Sequence, residues 1–126
     1  MSVELTHYLG IGYKLDYDEN YEKIDAFLDE HPEYSEYSFQ NPNADKQGLQ
    51  IVIDGMNGNY IYLIYVLKKT EQDELYSSGA DFSMRMFDLT DEYYGEYAVC
   101  DLYKDIFGEY YDGDDAPCLV SFFHCT

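Results

Sequence analysis

Residues 3–15 read VELTHYLGIGYKL, and this stretch indicates the class of fold. The odd positions are apolar or aromatic apart from His7, whereas the even positions are polar or glycine apart from Tyr8. A period of two over this length predicts a long β-strand with one buried face. Gly10 and Gly12 fall on the opposite face, where glycine indicates a bulge or a close approach of a neighbouring backbone.

Two helices are predicted, one on each side of the middle of the chain. The first follows the turn-like residues 16–20, with Asp18 or Asn20 as N-cap, and Pro32 ends it. The second spans residues 91–107, with Thr90 as N-cap and Gly108 at its C-terminal end. The apolar stripe of the first helix contains Tyr21, Ile24, Phe27 and Leu28.

The remaining strands complete an α+β pattern. Residues 48–54 and 60–69 form a predicted hairpin around the turn dipeptides of residues 54–58. The second of these strands is apolar on both faces and should lie centrally. Further short strands are predicted at 34–39, 80–87 and 118–124. We therefore expect one α+β domain over residues 1–126, with a mainly antiparallel sheet of about five to six strands and two helices.

The charge of the chain is strongly unbalanced. There are 26 Asp and Glu against 7 Lys and Arg, so the net charge is −19, yet 46% of the residues are hydrophobic. That apolar content is typical of a folded domain rather than a disordered chain. The negative charge disfavours direct binding to nucleic acid and to an anionic membrane surface. The expected partner is therefore a basic protein.

The acidic residues recur at helical spacing. Like charges at i,i+4 destabilise a helix slightly, so such rows lower the stability of the helices that carry them. The helix pitch of 5.4 Å is close to the roughly 6–7 Å between successive phosphates of a nucleic-acid strand. The candidate partner-binding carboxylates are Asp18, Glu22, Asp25, Asp29, Asp101, Asp105, Glu109, Asp112, Asp114 and Asp115.

The average charge density is too low for a nucleic-acid mimic. A folded chain of this mass exposes on the order of 7,000 Å², or about 370 Å² per net charge, whereas duplex DNA exposes roughly 100 Å² per charge. The carboxylates must therefore be concentrated on one face. Residues 31–70 are close to neutral, which permits such a concentration.

Tyrosine is the second unusual feature, with 16 Tyr, 7 Phe and no Trp. Most of the tyrosines should help to build the core and the sheet, because their rings suit half-buried strands. Tyrosine is also enriched at binding surfaces. The expected interface tyrosines are Tyr94, Tyr110 and Tyr111.

The cysteines predict a reducing compartment. Cys100, Cys118 and Cys125 are odd in number, and neither a secretory leader nor an apolar run of membrane-spanning length is present. We expect a soluble, cytoplasmic protein with unpaired thiols.

No metal or cofactor site is expected. Asp16, Asp18 and Asn20 match the first positions of a calcium-binding EF-hand loop, but Tyr21 and Phe27 occupy the places of its essential Gly and Glu. The only other candidate for a cation is the acidic run at residues 112–115, and that signal is weak. The cysteines lack the paired spacing of a zinc site.

Enzymatic activity is not expected either. The phosphate-binding, dinucleotide-binding and serine-hydrolase signatures are all missing from the sequence. A Cys–His nucleophile would have to combine distant residues, and the negative field of the chain opposes thiolate formation.

The predicted function is a non-enzymatic acidic binding or inhibitor protein. It would occupy a basic, nucleic-acid-binding surface of a nuclease or another nucleic-acid-binding protein, as a DNA mimic does. In size, acidity and tyrosine content the chain resembles inhibitors encoded by phages and mobile elements. The alternative is an immunity-type or housekeeping interaction protein that acts through an aromatic or apolar surface near the hairpin, with its charge serving solubility.

Overall fold

A computed structural model describes residues 5–37, 39–44, 48–71, 89–111 and 117–125, with the side chains of 89–93 excepted. Within these ranges lie four strands, two α-helices and one short 3-10 helix. In chain order they are β1 (Leu5–Leu15), α1 (Tyr17–Glu30), the 3-10 helix (Pro32–Tyr34), β2 (Gly48–Ile53), β3 (Ile61–Glu71), α2 (Leu89–Phe107) and β4 (Cys118–Cys125).

The strands form one antiparallel sheet in the order β2-β3-β1-β4. The α+β class with two helices is therefore confirmed. The expected strand number is too high, because the described residues form four strands instead of five or six. The predicted strand at 80–87 lies outside the described residues.

The segment after α1 is not a strand, contrary to the prediction for residues 34–39. Pro32 begins a 3-10 helix that includes Tyr34, and Ser35 forms only an isolated bridge with Ile51. The Ser35 hydroxyl donates to Gln40 Oε1 at 2.8 Å and accepts the N–H of Tyr37 at 3.1 Å. These local hydrogen bonds turn the chain where a short strand was predicted.

The glycines of β1 mark a close approach of two backbones, as predicted. The register between β1 and β3 shifts between Leu9 and Gly10, which is the expected bulge. A Cβ atom on Gly10 or Gly12 would collide with a backbone carbonyl of β3, that of Tyr65 or Leu63 respectively.

Strand β3 is central, as its two apolar faces predicted, because it lies between β2 and β1. On one face Ile61 and Leu63 join the core beneath the helices, and on the other Ile64 and Val66 pack around Tyr8. The predicted hairpin before β3 is also confirmed. Asp54 accepts the N–H of Gly58 and donates its own N–H to Tyr60.

Both helices cover the same face of the sheet. Ile24 of α1 and Val99, Leu102 and Ile106 of α2 are buried in one cluster with Leu63 of β3. Gly108 ends α2 with a φ of 80°, and its N–H donates to the Lys104 carbonyl at 2.7 Å, as expected of a C-terminal glycine.

The two N-cap predictions are wrong. Asp16 caps α1, because its carboxylate accepts the N–H of Glu19 at 2.9 Å, so Asp18 and Asn20 lie inside the helix. Thr90 also lies inside its helix, since α2 already includes Leu89.

Candidate functional site

The carboxylates of α1 form an exposed row along one side of the helix. Asp18, Glu22, Asp25 and Asp29 are all exposed, whereas Ile24 is fully buried. The spacing of four, three and four residues keeps these carboxylates on neighbouring turns of one helix face. The structure thus places the predicted α1 residues at the solvent surface.

The acidic residues of α2 are exposed in the same layer. Asp101 and Asp105 lie on α2, and Glu109 follows its C-terminal glycine. The remaining predicted carboxylates, Asp112, Asp114 and Asp115, lie outside the described residues. We refer to α1, α2 and Glu109 together as the acidic helix layer.

Aromatic contacts show where the two helices meet. The Lys23 ammonium of α1 lies 5.2 Å from the centre of the Phe107 ring of α2. Burial and then the carboxylates of Glu33 and Asp105 raise the pKa of the Tyr34 phenol. The contact between Lys23 and Phe107 places the middle of α1 beside the C-terminal end of α2.

The lysines near this surface do not neutralise its carboxylates. In the described part of the chain, the ion pairs include none of the six helix carboxylates Asp18, Glu22, Asp25, Asp29, Asp101 and Asp105. Lys104 of α2 instead lies 4.7 Å from the centre of the Tyr110 ring.

The predicted interface tyrosines are exposed to different degrees. The exposed fractions are 64% for Tyr94, 56% for Tyr110 and 40% for Tyr111. Tyr111 stacks on Tyr13 with ring centres 4.6 Å apart, and Tyr94 meets the edge of Tyr65 at 5.9 Å. Each ring is therefore partly held by the fold and partly open to solvent.

The average charge density of the surface is lower than that of DNA. The accessible surface is 8186 Å², so each of the 19 net charges has roughly 430 Å², about four times the value for duplex DNA.

Two carboxylates outside the acidic helix layer, Glu36 and Asp54, are buried and contact other groups of the protein. Asp54 accepts the N–H groups of Asn57 and Asn59 in the hairpin turn.

A cleft of about 260 Å³ opens beside the acidic helix layer, at the edge of β2. One wall is the α1 row Tyr17, Tyr21, Asp25 and Asp29, whose members are spaced by four residues. The opposite wall is the segment 35–40, and the floor is formed by β2 and the hairpin turn. The lining from these parts comprises Ser35, Glu36, Tyr37, Gln40, Ile51, Ile53 and Gly55.

The tyrosines of the cleft are ordered by stacking. The Tyr17 and Tyr21 rings lie 4.9 Å apart with planes 21° from parallel, and Tyr37 stacks on Phe39 at 5.5 Å. Burial and the neighbouring Glu36 carboxylate raise the pKa of Tyr37 to about 12, so its phenol stays neutral at physiological pH. Sequence reasoning missed these tyrosines, although the four-residue spacing from Tyr17 to Asp29 is a signal that could have found them.

A buried polar chain crosses the other face of the sheet. His124 Nε2 lies 2.7 Å from Glu36 Oε2, within ion-pair distance but without regular hydrogen-bond geometry, and His124 Nδ1 lies 2.8 Å from the Tyr60 hydroxyl. Burial, followed by nearby acidic groups, raises the pKa of Tyr60, which keeps the phenol protonated as a donor. Because His124 is 1% exposed, this cluster is a buried link between β4 and Glu36.

Among the described residues, no group of three or more His, Cys, Asp or Glu side chains could hold a metal ion. Asp16 and Asn20 serve the start of α1, where the Asn20 amide donates to the Asp16 carbonyl at 2.8 Å. Cys100, Cys118 and Cys125 form no disulfide, and Cys100 Sγ lies 3.7 Å from the Tyr13 hydroxyl.

Comparisons with protein-family models, with curated proteins and with solved structures found no match to this chain. None of the helices in the described ranges combines the length and the apolar character that a membrane span requires.

Proposed function

We propose that this protein is a non-enzymatic, cytoplasmic binding protein that occupies a basic, nucleic-acid-binding surface of a partner protein. The observation that carries the proposal is the acidic helix layer, where exposed carboxylates of two helices lie on one side of the sheet. In such a complex these carboxylates take the places of phosphates. The absence of a disulfide among the three cysteines fits a reducing compartment.

The acidic helix layer lowers the stability of α1, and this supports a role beyond solubility. Asp29 and Glu30 lie at the C-terminal end of α1, whose last turn contains no basic residue. Negative charge there opposes the helix macrodipole by about 0.3–1 kcal/mol per charge. Solubility alone would be served equally well by carboxylates placed elsewhere on the surface.

The proposal is tested by capturing partners from a host lysate with the wild-type protein and with a variant carrying Asp101→Lys, Asp105→Lys and Glu109→Lys. We expect the wild type to retain a nucleic-acid-binding protein at low salt, to release it at high salt and to release it when duplex DNA is added. The variant should retain less of it, chiefly because the rate of association falls.

Two outcomes would contradict the proposal. One is recovery only of proteins that do not bind nucleic acid. The other is a captured protein that duplex DNA does not displace, since a mimic and the nucleic acid must compete for one surface.

The aromatic surface near the hairpin favours a second candidate function. Phe39 is 81% exposed and Met56, in the hairpin turn, is 54% exposed. An immunity-type or housekeeping protein would use these side chains as apolar contacts and its charge only for solubility. Phe39→Ser with Met56→Ser would then abolish capture, whereas the triple charge reversal would not.

A further inference from the structure

The cleft between α1 and segment 35–40 combines aromatic rings with carboxylates. Tyr17 and Tyr21 form a stacked pair on one wall, Tyr37 lies in the opposite wall, and Asp25 and Asp29 continue the α1 row. We propose that this cleft binds the guanidinium group of an arginine side chain that the basic partner protein presents. The inference rests on the proposed function for the class of partner.

The size of the cleft suits one long side chain. Pockets for drug-sized ligands and cofactors have volumes of roughly 300–1,000 Å³, whereas this cleft has about 260 Å³. A nucleotide or a folded cofactor would be too large for it. An extended side chain that enters from the open side fits the available volume.

The chemistry of the lining favours a flat cation. Aromatic rings attract a cation through the negative face of their π-system. A guanidinium group can stack on a ring while its N–H groups bind a carboxylate, whereas a lysine ammonium is a strongly hydrated point charge. Tyr21 and Tyr37 remain partly exposed, so their rings are accessible to such a group.

The carboxylates of the cleft can pair with a guanidinium group. Asp25 and Asp29 are exposed, and neither belongs to an ion pair within the described residues. The nearest lysine along the helix, Lys23, lies over the Phe107 ring of α2 instead.

The wall opposite α1 is already in place before a ligand arrives. The Asn41 side-chain amide donates to the Ser35 carbonyl at 2.9 Å, and Ser35 bridges to Ile51 of β2. Glu36 is held from behind by His124. A preformed wall lowers the entropic cost of binding.

The test measures binding of N-acetyl-arginine amide to the isotope-labelled full-length protein by NMR at physiological salt. Binding should be saturable, with chemical-shift changes concentrated at Tyr21, Asp25, Asp29 and Tyr37. N-acetyl-lysine amide should bind more weakly, and the neutral citrulline analogue should not saturate.

Two double variants distinguish specific binding in the cleft from general attraction to the negative charge of the protein. Asp25→Asn with Asp29→Asn should weaken binding about threefold to tenfold, as expected when two partly exposed ion pairs are lost. Asp18→Asn with Glu22→Gln removes the same charge from the same helix outside the cleft, and should change the dissociation constant less than about twofold. Equal losses in the two variants, or equal binding of the citrulline analogue, would overturn the proposal.

Failure of this inference is distinguishable from failure of the proposed function, because the probe requires no partner protein. Saturable arginine binding in the cleft, together with captured proteins that duplex DNA cannot displace, would support the arginine site and contradict the DNA-mimic function. A captured partner that duplex DNA displaces, without saturable arginine binding, would support the DNA-mimic function and contradict the arginine site.

Discussion

His124 Nε2 lies 2.7 Å from Glu36 Oε2, and the two side chains are only 2% and 7% exposed. This contact joins the last strand of the sheet to the segment that walls the cleft. His124 lies in β4, which pairs with β1, whereas Glu36 lies just after the 3-10 helix. The fold thus uses a buried polar contact to hold one wall of the cleft.

Removal of either partner from this contact should destabilise the protein. Glu36→Gln or His124→Gln should each lower the free energy of unfolding by about 1–3 kcal/mol, because each change leaves a buried polar atom with a poorer partner or with none. Urea denaturation measures this change. The matched control is His31→Gln, which breaks the exposed His31–Glu33 pair and should cost no more than about 1 kcal/mol. Equal effects at the two sites would show that burial does not strengthen the His124 contact.

Gly12 should not tolerate a side chain. A Cβ atom there meets the backbone carbonyl of Leu63, so Gly12→Ala must push β1 and β3 apart. We expect a loss of about 1–3 kcal/mol or more in thermal or urea unfolding. Gly55→Ala is the control, since a Cβ atom at Gly55 meets nothing within 4 Å. A stable Gly12→Ala protein would mean that the register between these strands is wrong.

The two ends of α1 should respond in opposite directions to the same loss of charge. Glu19 lies in the first turn and Glu30 is the last helical residue. Glu19→Gln should lower the melting temperature and Glu30→Gln should raise it, each by the equivalent of about 0.3–1 kcal/mol, because of the helix macrodipole. Both effects should shrink at high salt. A lower melting temperature for both variants would contradict the inference that the carboxylates of the acidic helix layer destabilise α1.

The half-buried phenol of Tyr60 should make the protein sensitive to alkali. Its pKa is raised in the folded state by burial and then by acidic groups that begin with Asp54. Folding therefore favours the neutral phenol, and this contribution is complete below the unfolded pKa of about 10 and is lost as the pH rises through the folded pKa. Urea unfolding from pH 8 to pH 11 measures the loss.

Tyr60→Phe should flatten that pH profile, while it costs about 1 kcal/mol at pH 8 through the lost hydrogen bond to His124. Tyr62→Phe should change the profile in the same direction, because burial also raises the Tyr62 pKa. Profiles that run parallel to that of the wild type would argue against buried phenols in the folded state.

Local patterns predicted the bounds of β1 to β4 well but the number of strands less well. The alternation over 3–15 predicted β1, and the doubly apolar run from residue 60 predicted that β3 is central. The strand predicted at 34–39 is absent, because Ser35 forms hydrogen bonds within the segment itself. The N-cap of α1 was misplaced because Asp16, Asp18 and Asn20 are all chemically able to cap, and only the backbone path selects Asp16.

The candidate site was predicted only in part for a similar reason. Helical spacing identified the exposed row from Asp18 to Asp29, since residues four apart share a helix face. That spacing did not indicate that Tyr17, Tyr21, Asp25 and Asp29 face a second wall across a cleft. A wall built from a distant segment leaves no periodic signal in the sequence.

The sequence by itself determined the class of fold, the central strand, the close-packed glycines and the acidic character of the helices, because each depends on neighbours within a few residues. Only the tertiary structure decided that Glu36 meets His124 and that Tyr37 stands across from Tyr21. Such contacts join residues that are distant along the chain, and they form only where the folded backbone brings buried polar groups and rings together.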